Sequence, residues 1–118
     1  MRILATALTL LVALLHVGFM ILEMVFWDHP IGHRIFAMSP EQASGSAQLA
    51  LNQGLYNGFL AAGLLWAIIC KKVDVQLFFL ICVIVAGVVG AISVKPTIFI
   101  IQSVPAILAM LTLIISRR

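Results

Sequence analysis

The chain has 118 residues, 64% of them hydrophobic and 9% charged, with a formal net charge of +3. An ordinary soluble domain is about 45–50% apolar and about 25% charged, so a water-facing surface on a chain of this length would lack the groups to cover it. The same composition excludes disorder, and two cysteines cannot staple a secreted disulfide scaffold of this size.

What remains is an integral membrane protein with the lipid bilayer as its surroundings. Apolar stretches run over 3–27, 49–70, 75–94 and 97–115. Each reaches the roughly 20 residues that cross the hydrocarbon as a helix. Of the seven basic and four acidic residues, only Glu23 lies inside a stretch. This segregation is expected, because an ionised side chain at mid-membrane costs at least about 2.5–3.5 kcal/mol. The predicted fold is all-α: an antiparallel four-helix transmembrane bundle over 1–118, with a short extra helix or turn in an outer loop, 28–48.

Arg2 followed by an apolar run invites comparison with a cleaved signal peptide. The apolar core is too long for one, and no small-x-small site follows Phe19 before the polar loop. The first stretch therefore reads as a retained helix. Arg2, Lys71, Lys72, Arg117 and Arg118 fall on one side, and Arg34 and Lys95 on the other. This asymmetry predicts cytoplasmic N- and C-termini in a plasma membrane. The net charge is thus an orientation signal, and no nucleic-acid patch accompanies it. Cys70 and Cys82 then face the reducing side and are expected as free thiols.

Within 28–48, Ser39-Pro40-Glu41-Gln42 combines an N-cap serine, a proline at the first helical position and a capping-box glutamine. A helix should start at Pro40, either running through Gly45 into the second span or pausing there. Trp27 and Phe36 suit the outer membrane interface. The remaining links are short and force antiparallel neighbours. Small residues four apart (Gly54, Gly58 and Ala62; Ala86 and Gly90; Gly87 and Ala91) form flat strips where backbones approach. They serve either a homodimer through Gly54, Gly58 and Ala62 or through Gly87 and Gly90, or packing inside one chain.

The polar residues of the spans form the candidate site. His16 and Glu23 lie seven apart on nearly the same face of the first span; Asn52, Gln53, Tyr56 and Asn57 occupy adjacent stripes of the second. Gln102 and Ser103 precede Pro105, which frees a carbonyl one turn earlier. Counting from the span centres places Glu23 level with Asn52 and Gln53, and His16 level with Asn57. Arg34 and Lys95 are the cations at that end. These residues predict either an outward-facing polar pocket, with Glu23 as charged anchor, His16 as proton relay and Asn52, Gln53, Tyr56, Asn57 and Gln102 as ligand-binding partners, or interhelical glue. His29 and His33, beside Asp28, are weaker metal candidates, because Pro30 and Gly32 argue for a turn there. No nucleophile elbow, Cys-x-x-Cys or phosphate loop points to catalysis, and no cofactor is implied.

The run Asn52-Gln53-Gly54-Leu55-Tyr56-Asn57-Gly58-Phe59, with His16, Glu23-Met24-Val25-Phe26-Trp27 and Ser39-Pro40-Glu41 before it, resembles a family of small bacterial integral membrane proteins, the domain of unknown function 1304. The resemblance spans nearly the whole chain and implies four transmembrane helices without an established activity. The sequence thus leads to a small-molecule or lipid-like ligand, bound or transported, with a non-catalytic subunit of a membrane complex as the alternative.

Overall fold

The computed structural model describes residues 1–117; Arg118, counted above in the charge asymmetry, lies outside the described residues. Among these every regular element is a helix: α1 (Arg2–Met24), α2 (Pro30–Ile35), α3 (Pro40–Ile69), α4 (Val73–Ser93), a π-helical segment (Phe99–Ser103) and α5 (Val104–Ser116). Three helices are long and apolar enough to cross a membrane: Arg2–Met24, Val73–Ser93 and Phe99–Ser116. No more than 28% of the apolar window of any of them is buried inside the protein, so most of their side chains face outward. Such surfaces suit lipid, not water. The fourth expected span, 49–70, falls on α3 except for Cys70 and is not among these three, since Asn52, Gln53 and Asn57 lower its hydropathy.

The start of α3 follows its sequence signal. The Gln42 N–H donates to Ser39 Oγ at 3.1 Å and the Ser39 N–H to Gln42 Oε1 at 2.9 Å, the reciprocal pair of a capping box. From there the helix runs without a break through Gly45 for 30 residues. At 1.5 Å per residue that is about 45 Å, longer than the roughly 30 Å of bilayer hydrocarbon.

Contacts divide the chain into two units, one made of Met1–Leu14 and Leu60 onward, the other of Leu15–Phe59. The core of the first is built from Ala5, Val12 and Ala13 of α1, Leu64 of α3, Leu80 and Val83 of α4, and Ala106, Ala109 and Leu113 of α5. Four of these nine are alanines, which let the helix backbones come close. Cys70 and Cys82, also in this unit, are free thiols.

Pro105 shapes the last helix. It has no N–H to give the carbonyl four residues back, and the turn before it widens so that the Val104 N–H reaches the Phe99 carbonyl. Buried Ser103 then donates its Oγ–H to the Ile84 carbonyl of α4 at 2.9 Å. Gly87 makes room for it, and Gly90 for Ile98.

A buried polar link also joins α1 to α4 in this unit, and no motif announced it. Thr9 Oγ1 donates to the Ala5 carbonyl at 2.8 Å and accepts from Gln76 Nε2 at 2.7 Å. The two ends are not equivalent. Thr9→Val strands a buried amide donor and should cost about 1–3 kcal/mol, whereas Gln76→Leu leaves Thr9 bonded and should cost about 1 kcal/mol or less, by denaturation of the detergent-solubilised protein.

Candidate functional site

The second unit contains most of the residues singled out by the sequence. Its frame is the C-terminal half of α1 against the N-terminal half of α3, running antiparallel. A Cβ on Gly54 would lie 2.6 Å from Met24 Cγ and 3.1 Å from Glu23 Cβ, and one on Gly58 would lie 2.7 Å from Met20 Sδ. The four-residue spacing of the glycines thus matches that of the two methionines. These glycines are covered within the chain, as are Gly87 by Ser103 and Gly90 by Ile98. Both strips offered above for a homodimer therefore pack intramolecularly at their glycines, while Ala62 is exposed.

Inside this frame Asn57 Nδ2 donates to Glu23 Oε1. Both side chains are half-buried. The expected level of Glu23, beside Asn52 and Gln53, is close to that of its Cβ, which abuts Gly54. Its partner is nevertheless Asn57, because each Cα–Cβ bond leans toward its own helix N-terminus. In an antiparallel pair, Glu23 therefore leans along α3 toward residue 58 while Asn57 leans back toward residue 54. The donor is an amide where the sequence offered a cation; Arg34, in the same unit, is exposed and forms no ion pair among the described residues.

The other candidates separate. Asn52, Gln53 and Tyr56 are exposed, and the Tyr56 ring lies 6.1 Å from that of Phe59. His16 is buried, its ring edge-on to Phe19 at 5.2 Å. Gln102 is half-buried in the π-helical segment of the first unit. A groove of about 680 Å³ opens along α3, lined by Met24, Gln48, Leu49, Leu51, Asn52 and Leu55. Of these only Asn52 was legible as a site residue. Gln48 was assigned to the outer loop, and the leucines and Met24 carry no pattern that separates them from lipid-facing side chains.

The turn expected at Pro30 and Gly32 is instead the short helix α2. Proline at its first position is preorganised for a helix start, and His29 caps it, Nδ1 accepting from the Ile31 N–H at 3.1 Å. Gly32 fits because a Cβ there would overlap the carbonyl oxygens of Phe26 and Trp27. The two metal candidates therefore have separate roles, since His33 Nε2 pairs with Asp28 Oδ1 at 2.9 Å. No group of three metal-ligating side chains occurs among the described residues. The elbow is closed by Trp27, which stacks on Phe36 at 4.8 Å and donates from Nε1 to Ser46 Oγ at 3.0 Å.

These features fall within a recognised sequence pattern. The profile of the protein family of unknown function DUF1304 matches residues 10–114, which takes in Glu23, the capping box, Gly54, Asn57 and Gly87. The chain belongs to the DUF1304 family. Across 116 residues this family member is 33% identical to the uncharacterized protein YpaA of Lactococcus lactis, an alignment covering 95% of the chain and 98% of the relative. No solved structure matches it.

Proposed function

We propose that this chain is a four-helix bundle of the bacterial plasma membrane, with both termini cytoplasmic, that binds a small-molecule or lipid-like ligand at the outward-facing polar side of α1 and α3. The observation that carries this reading is the Glu23–Asn57 pair, a carboxylate and an amide brought together inside otherwise apolar helix faces, with Asn52, Gln53 and Tyr56 exposed nearby along α3. An ionisable group within a membrane-spanning segment is kept for function by default, since packing alone would use an apolar residue at lower cost. α3 supplies the fourth crossing, and the Lys and Arg asymmetry sets the orientation.

The test separates a binding site from structural glue. Protein purified in mild detergent should carry a non-protein mass by native mass spectrometry. In Glu23→Gln and Asn57→Ala that mass should be lost, with stability within about 1 kcal/mol of the parent, because interhelical hydrogen bonds in membranes average about 0.6 kcal/mol. Absence of any bound mass on the parent protein, or its full retention in both variants, refutes the proposal.

A further inference from the structure

We infer that the Glu23–Asn57 pair binds an organic cation: a primary or secondary ammonium group on an apolar skeleton, donating its N–H groups to Glu23 Oε2 and Asn57 Oδ1. This rests on the ligand-binding reading above and names the ligand class of that same site.

The charge around the pair is unbalanced. Between residues 15 and 59 the acidic side chains are Glu23, Asp28 and Glu41, and the only Lys or Arg is Arg34. Asp28 is paired with His33, and Arg34 is exposed without an ion pair among the described residues. Glu23 therefore has an amide for a partner and no cation. A carboxylate withdrawn from water needs a counter-charge. The helix faces beside it cannot supply one, since Met24 and Met20 occupy the space over Gly54 and Gly58. A cationic ligand brings the missing charge, and its apolar skeleton suits those walls. Among the described residues Glu23 belongs to no group of three metal-ligating side chains, which favours an organic cation over a metal ion.

The hydrogen-bonding groups narrow the class further. Asn57 Nδ2 faces Glu23 Oε1, and neither side chain has another hydrogen bond among the described residues. Glu23 Oε2 and Asn57 Oδ1 are thus acceptors without a donor, each beside the bonded atom of its own group. Both are open to the surface, because no buried side-chain oxygen or nitrogen among the described residues lacks a partner. Exposed Gln53, one turn before Asn57 on the same stripe of α3, adds another amide oxygen. An ammonium group only donates, as an ionised carboxylate only accepts. Hydrogen bonds between such charged partners are roughly twice as strong as neutral ones. A quaternary cation would supply the charge but leave both oxygens without donors.

The test titrates the full-length protein in mild detergent with probes of one skeleton: 2-phenylethylammonium, the neutral 2-phenylethanol and N,N,N-trimethyl-2-phenylethylammonium. Binding is read by equilibrium dialysis against protein-free micelles, and displacement of any mass already carried by native mass spectrometry. The ammonium probe should bind, with the neutral and quaternary probes about tenfold or more weaker. Glu23→Gln should weaken the ammonium probe by about tenfold or more, and Asn57→Ala should weaken it less, since the carboxylate remains. The comparison of probes uses the parent protein alone, so it stands if a variant fails to fold. Equal binding of the neutral or the quaternary probe overturns the inference, as does binding of none. If it is overturned while the purified protein carries a mass that Glu23→Gln and Asn57→Ala lose, the ligand-binding reading stands with another ligand class. No carried mass and no bound probe refutes both.

Discussion

Gly87→Ala is expected to destabilise the protein by about 2–3 kcal/mol, at the upper end of what overpacking a core methyl costs. Gly87 is buried, and a Cβ there would overlap Ser103 Oγ while standing 2.9 Å from the Ser103 amide nitrogen and 3.0 Å from its Cβ. The hydroxyl has little freedom to leave, since it donates to the Ile84 carbonyl at 2.9 Å. Nor does the backbone, because the π-helical segment is positioned by Pro105, two residues after Ser103. Combining Gly87→Ala with Ser103→Gly removes the hydroxyl and Cβ overlaps but not the approach to the amide nitrogen. The double variant should therefore recover part of the loss and not all of it. Denaturation of the detergent-solubilised variants reads this directly, and a Gly87→Ala protein as stable as the parent would show that α4 and the last helix can separate without penalty.

The second large effect has a sign opposite to helix propensity. Glycine to alanine inside a helix ordinarily gains about 1 kcal/mol, yet Gly32→Ala in α2 should lose about 2–3 kcal/mol through overpacking. The new methyl would overlap the Phe26 and Trp27 carbonyl oxygens and stand 2.9 Å from the Trp27 carbonyl carbon. These are backbone atoms, which no rotamer change can move. α2 must shift as a whole, and the Trp27–Phe36 stack and the Trp27–Ser46 hydrogen bond go with it. In a Trp66→Phe background, where Trp27 is the single indole, its emission should shift toward the red in Gly32→Ala. Unchanged emission and stability would mean that the elbow is held by something other than this close approach.

Much of the helical layout was legible because the signals for it are local. The capping box at Ser39 and Gln42 located the start of α3 to the residue, through atoms three positions apart. The short links after α3 and α4 and the charges at the helix ends bounded the remaining helices. The choice at Gly45 between a continuous helix and a pause was not local, and neither was the elbow. Pro30 and Gly32 are turn residues by propensity, but proline at a first helical position and glycine at a close backbone approach serve a short helix equally well. Which role they take depends on Phe26 and Trp27 being beside them.

The candidate site divides the same way. Glu23 stood out from the placement of the charges, as the one charge within an apolar stretch. That Asn57 would be its partner depended on the antiparallel lean of two side chains, which no single-helix count contains. The Thr9–Gln76 bond joins residues 67 apart, each an isolated polar residue without a pattern of its own. The amides along α3 were visible as polar positions, but the groove beside Asn52 needed Met24 from another helix to form a wall. Composition, charge placement and capping chemistry act over a few residues, so the sequence by itself determined an all-helical chain with apolar membrane-length segments and one exceptional carboxylate. Side-chain partners and the groove arise where distant helices meet, and only the tertiary structure decided them.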